Sequence, residues 1–119
     1  MSPDELRQRT RSYGLRVIRL VEAPPSGRTA DVIGRQLLRC GTSVGANYRA
    51  AARAKSPADF VSKMKIVEEE ADESLYWMEL LNESGLVPQE RTAALMAEGQ
   101  ELLAIAVSSI ETARSRLFS

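Results

Sequence analysis

Histidine is absent from the 119 residues, and a single cysteine, Cys40, is present. No Ser-His or Cys-His pair can therefore activate a nucleophile. The segment Gly41-Thr42-Ser43-Val44-Gly45 has loop-like glycines but lacks the Lys-Ser/Thr that completes a phosphate loop. A run of acids, Glu68, Glu69, Glu70, Asp72 and Glu73, has the spacing of carboxylates in di-metal bundles. Such sites add Glu-x-x-His, which this chain cannot supply. The expectation is a non-enzymatic protein with no metal and no cofactor.

Arginine is the other reactive group present in number: 13 of the 16 basic residues. Its planar guanidinium suits bidentate contacts to phosphate or carboxylate. Net charge is zero, but residues 1–65 carry 13 Lys+Arg against 5 Asp+Glu, and residues 66–119 carry 3 against 11. These +8 and −8 halves can be matched within one molecule, between protomers, or by an outside polyanion. At 100° per residue, Arg35, Arg39, Arg49 and Arg53 fall on one helix face, opposite the core residues. Three readings of that stripe stand: a solvated face with salt bridges, a phosphate-binding face, or a protomer contact.

The elements that must carry these residues are four helices. Ser2-Pro3-Asp4-Glu5 and Ser56-Pro57-Ala58-Asp59 both place an N-cap serine before proline at the first helical position, with an acid three after the cap. Helices are expected at about 3–23, 29–54, 57–84 and 88–118 in a single domain, 1–119. Pro24-Pro25-Ser26-Gly27 and Gly85 separate them. The 4-3 spacing of Phe60, Met64, Val67, Ala71, Ser74, Met78 and Leu81 defines the core stripe of the third helix. Long helices with short connections predict an all-α, antiparallel up-down-up-down four-helix bundle. Apolar runs interrupted by charge predict no membrane span. An N-terminus without a basic flank or apolar stretch, and a lone core-facing Cys40, predict a cytoplasmic protein.

Helix two also projects Gly34, Gly41, Gly45 and Ala52 to one flank. Glycine inside a helix costs about 1 kcal/mol relative to alanine. The expected compensation is close approach of a neighbouring helix or another subunit; the alternative is a kink at residues 41–43. Asn47 lies on the core side as a register-fixing amide. Glu69 and Glu73 share a face of helix three. Glu70 is placed to pair with Arg49 or Lys63, or to bind Asn47. Tyr76-Trp77 reads as core or subunit interface, ahead of a platform for a base.

Three segments together resemble a family. Thr42-Ser43-Val44-Gly45-Ala46-Asn47-Tyr48-Arg49-Ala50-Ala51 is followed by Ser56, Asp59-Phe60 and Lys63. Then come Glu69-Glu70-Ala71-Asp72-Glu73-Ser74 and Tyr76-Trp77-Met78-Glu79-Leu80-Leu81. This pattern resembles the bacterial four-helix-bundle proteins that include those encoded in intervening sequences of 23S ribosomal RNA genes. More distantly it is similar to accessory proteins of diversity-generating retroelements. The resemblance implies a ring-like homo-oligomer, a homopentamer being expected, with no enzymatic activity. It suggests binding of RNA or DNA, for which the stripe arginines Arg35, Arg39, Arg49 and Arg53 are the candidate contacts. Contacts within or between protomers would then use Gly34, Gly41, Gly45, Asn47, Tyr48, Lys63, Glu69, Glu70, Glu73 and Trp77. The zero net charge departs from the strongly basic retroelement proteins. The alternative function is a protein–protein adaptor ring that binds no nucleic acid.

Overall fold

The structure, a computed structural model, describes residues 1–117. Four helices account for it: α1 (Pro3–Glu22), α2 (Arg28–Ala52), α3 (Pro57–Glu83) and α4 (Gln89–Leu117). No strand occurs among the described residues. The expected end of the last helix at Phe118 lies outside them.

The helix starts follow from local chemistry. Ser2 Oγ accepts from the Glu5 amide, and Ser56 Oγ accepts from the Asp59 amide, each at 3.1 Å. Asp59 answers by accepting the Lys55 amide at 3.0 Å and Lys63 Nζ at 2.6 Å, which lowers its pKa. Helix α2 starts differently, with Gly27 as N-cap at φ 133° and no side-chain cap. Gly85, at φ 80°, supplies the left-handed turn after α3. The α3–α4 turn is then tied by Asn82. Its Nδ2 donates to the Val87 carbonyl at 3.1 Å, and its Oδ1 accepts from Thr92 Oγ1 at 3.0 Å.

Each helix buries one stripe in a single core. Tyr13, Val17, Leu37, Cys40, Val44, Met64, Ala71, Met78, Leu102 and Ala106 are almost completely shielded. Burial pushes the Cys40 thiol up to about 12, as for an inert core cysteine. Polar groups in the core are partnered. Tyr13 Oη and Ser74 Oγ share a 2.7 Å hydrogen bond, Ser74 Oγ also donates to the Ala71 carbonyl, and Thr10 Oγ1 donates to the Leu6 carbonyl. Leu117 is exposed, whereas Thr92, Gly99 and Ile110 face the core.

By length and composition alone, α4 is apolar enough to span a bilayer. The reason is that its charges thin out between Arg91 and Glu111, leaving only Glu98 and Glu101. Both carboxylates bind Arg9 of α1: Nε–Glu98 Oε2 2.9 Å, Nη2–Glu98 Oε1 2.5 Å, and Nη2–Glu101 Oε2 2.6 Å. Its Thr92–Leu95–Gly99–Leu102–Ala106–Ile110 stripe lies in the core.

That clamp makes the α1–α4 seam sensitive to acid. Arg9 is held above its ordinary value, and its hydrogen bonds pull the Glu98 carboxyl below its ordinary value. A depressed carboxyl stabilises the fold above its unfolded pKa and loses that contribution as pH falls through the folded value. Glu70 works the other way, because burial raises its pKa and protonation relieves that cost. Urea midpoints at about pH 7 and about pH 3 should therefore differ less in Arg9→Met than in the unaltered protein. Equal differences would mean that the clamp carries none of the acid sensitivity.

Candidate nucleic-acid interface

The glycines of α2 determine how the candidate face is built. A Cβ on Gly41 would lie 2.7–2.8 Å from the methyls of Val17, and one on Gly45 would lie 3.2 Å from the Thr10 carbonyl oxygen. A Cβ on Gly34 would lie 3.3 Å from Val21. All three therefore face α1, so the close partner is the neighbouring helix of the same chain. Helix α2 runs unbroken through residues 41–43. Ala52 is exposed and takes no part. Gly14 is the matching residue on α1, 3.6 Å from the Thr42 Cα where its Cβ would be. With so little between them, the α1 and α2 backbones lie side by side and share one broad outer surface.

Arginines occupy that surface. Arg35, Arg49 and Arg53 are exposed, and no side-chain hydrogen bond or ion pair engages them among the described residues. The Arg11 amide lies 3.5 Å from the Cβ position of Gly45, one helical turn before Arg49, and its side chain is exposed as well. The periodicity of α2 alone could not find Arg11, because it comes from another helix. Residues 6–21 and 32–58 contain no Asp or Glu, so no acid from α1 or α2 interrupts the face.

Arg39 departs from the stripe. Its Nη1 donates to Glu70 Oε2 at 3.2 Å, and its Nη2 pairs with Glu73 Oε2. Trp77 Nε1 donates to the same Glu73 oxygen at 2.9 Å. Glu70 thus takes Arg39, not Arg49 or Lys63. Lys63 goes to Asp59, and Asn47 Nδ2 donates to the Ser43 carbonyl at 2.9 Å. The buried Tyr48 reaches the Pro3 carbonyl at 3.5 Å. Part of the charge asymmetry is therefore matched inside the chain, through Arg39 and Arg9.

The rest of the acid lies elsewhere. Glu69, Asp72, Tyr76, Glu79 and Glu83 are exposed and follow 3-4 spacing along α3, so they form one acidic stripe around an aromatic ring. Tyr76 meets half-buried Trp77 edge to face at 5.1 Å. Glu69 is the exposed member of the Glu69/Glu73 pair, one turn before the Glu73 carboxylate that holds Arg39. No group of His, Cys, Asp and Glu fit to hold a metal ion occurs among the described residues.

The sequence model described as "23S rRNA-intervening sequence protein" matches residues 4–108. Among solved structures, the chain is similar to a protein of unknown function from the S23 ribosomal protein family of Bacteroides thetaiotaomicron VPI-5482. Identity is 31% and the TM-score is 0.85, over 93% of this chain and 99% of that one. No curated protein matches the chain. The match reaches into all four helices, and the chain belongs to the 23S rRNA-intervening sequence protein family.

Proposed function

We propose that this protein is a non-enzymatic bundle that binds RNA or DNA through the arginines of its α1–α2 surface. The observation that carries the reading is the acid-free face with Arg11, Arg35, Arg49 and Arg53 exposed and unengaged among the described residues. Guanidiniums in that state can bind phosphates without first breaking an internal ion pair. Membership of a family described by its link to 23S rRNA intervening sequences is compatible with such a ligand. Within this reading the helices run antiparallel to their sequence neighbours. The pairings of Thr10 with Gly45, Val17 with Gly41 and Val21 with Gly34 support that direction.

Charge-reversed Arg35→Glu/Arg49→Glu/Arg53→Glu protein should fail to shift structured RNA or duplex DNA in a gel at low salt. Arg39→Gln should still shift both, because that guanidinium is already held by two carboxylates. Retained binding by the triple variant would overturn the reading.

A second reading rests on the α3 stripe. One protomer carries an arginine face free of acids and a separate acidic stripe, an arrangement suited to a head-to-tail contact that closes into a ring. The protein would then be an adaptor, and five subunits is the proposed number. Glu69→Lys/Glu79→Lys should reduce the mass found by light scattering while leaving helicity unchanged. A monomeric unaltered protein would eliminate this second reading.

A further inference from the structure

The α1–α4 seam changes character along its length. At Arg9, helix α4 offers two carboxylates. Two turns further along α1, Arg16 meets no acid. There a cleft of about 330 Å³ opens between the end of α1 and the start of α4. Arg16, Arg19 and Arg91 line it, over an apolar floor of Leu20, Ala94 and Leu95. No carboxylate lines the cleft. Glu98 feels the charge of Arg16, but both of its oxygens are taken by Arg9. Arg91 is fixed in place by donating Nη1 to the Pro24 carbonyl at 2.5 Å. Arg16 and Arg19 have no hydrogen bond or ion pair among the described residues.

Three like charges around one apolar-floored cleft repel each other, and an anion relieves that repulsion. The donor set also specifies the anion. Guanidiniums on two helices present forked N–H donors that match the oxygens of a phosphate. The apolar floor suits a ring or sugar attached to that phosphate, and the volume lies at the small end of ligand sites. We infer that this cleft binds a nucleotide through its terminal phosphate monoester, either as a free nucleoside monophosphate or as the 5′ end of a strand. The site is separate from the α1–α2 arginine face and does not depend on it.

Calorimetric titration of the full chain with adenosine monophosphate, adenosine, and 5′-phosphorylated and 5′-hydroxyl oligonucleotides tests this. In the Arg35→Gln/Arg49→Gln/Arg53→Gln background, which removes strand binding by the α1–α2 face, saturable binding is expected for the phosphorylated member of each pair and not for the other. Arg16→Gln/Arg19→Gln should weaken it by about tenfold or more, the effect of losing charge-assisted hydrogen bonds. Arg16→Lys/Arg19→Lys should retain part of it, whereas Arg49→Gln/Arg53→Gln should leave adenosine monophosphate binding unchanged. A phosphorylated oligonucleotide that outcompetes adenosine monophosphate identifies a strand end as the ligand, and parity identifies the free nucleotide. The inference is overturned if no phosphorylated probe saturates the protein, or if the 16/19 glutamine variant, still folded by its melting curve, binds as well as the unaltered chain. Loss of binding in Arg49→Gln/Arg53→Gln alone would likewise overturn it, and would assign the phosphate to the α1–α2 face.

Discussion

Tyr13→Ala should be the most damaging single truncation in the core, at about 3–5 kcal/mol, the range for removing a buried aromatic side chain. The ring has no exposed surface and lies where α1, α3 and α4 meet. Its hydroxyl is bonded to Ser74 of α3 and sits 2.7 Å from the Cβ position of Gly99 in α4. Burial of that hydroxyl pushes its pKa up to about 12, so it stays protonated at neutral pH. Tyr13→Phe separates the two contributions. It keeps the ring and leaves Ser74 Oγ its bond to the Ala71 carbonyl, so it should cost only about 1 kcal/mol. Urea unfolding of both variants measures the difference. Similar losses in the two would mean that the hydrogen bond, and not the packing of the ring, holds these three helices together.

Gly41→Leu is expected to be about as harmful, for the opposite reason. In an isolated helix, replacing glycine with a good helix former stabilises by about 1 kcal/mol. Here the first added carbon already lies inside contact distance of both methyls of Val17. Val17 is buried and β-branched, so its side chain has almost no other rotamer to adopt on a helix. Overpacking of this kind costs about 1–3 kcal/mol and more for a large side chain, so the net effect should be a loss of about 3 kcal/mol. A double-mutant cycle identifies the cause. Gly41→Ala and Val17→Ala should each destabilise, while together they should recover part of the loss, because the methyls removed at 17 make room for the one added at 41. Additive losses would mean that the Gly41–Val17 contact is not what fixes the α1–α2 spacing.

Much of the fold is legible in the residues. Serine caps before Pro3 and Pro57 and the 4-3 stripe of α3 are local signals, and local signals survive into the folded state because they require no distant partner. The small flank of α2 was equally visible. What it packs against was not, because Gly14, Thr10 and Val17 are ordinary residues until α1 is laid beside them. The same limit applies at the candidate face. Helical periodicity grouped Arg35, Arg39, Arg49 and Arg53, yet it could not assign Arg39 to α3 or bring in Arg11 from α1. An angular difference of about 40° separates Arg39 from Arg35 and Arg53, and it decides whether a guanidinium points outward or toward the next helix's carboxylates. Thr92 continues the 3-4 stripe of α4, but its hydrogen-bond partner Asn82, ten residues earlier and across a turn, is not encoded by any period within that helix.

The α1–α2 arginine face is the centre of the proposed function, and the salt dependence of nucleic-acid binding tests it most directly. Each phosphate neutralised on duplex DNA contributes about 0.9 to the slope of log affinity against log salt. The unaltered protein should bind with a steep negative slope. The Arg35→Gln/Arg49→Gln/Arg53→Gln variant should lose about 2.7 units of that slope for every protomer that touches the duplex. An unaltered slope in that variant, or no binding by the unaltered protein at low salt, would contradict the account.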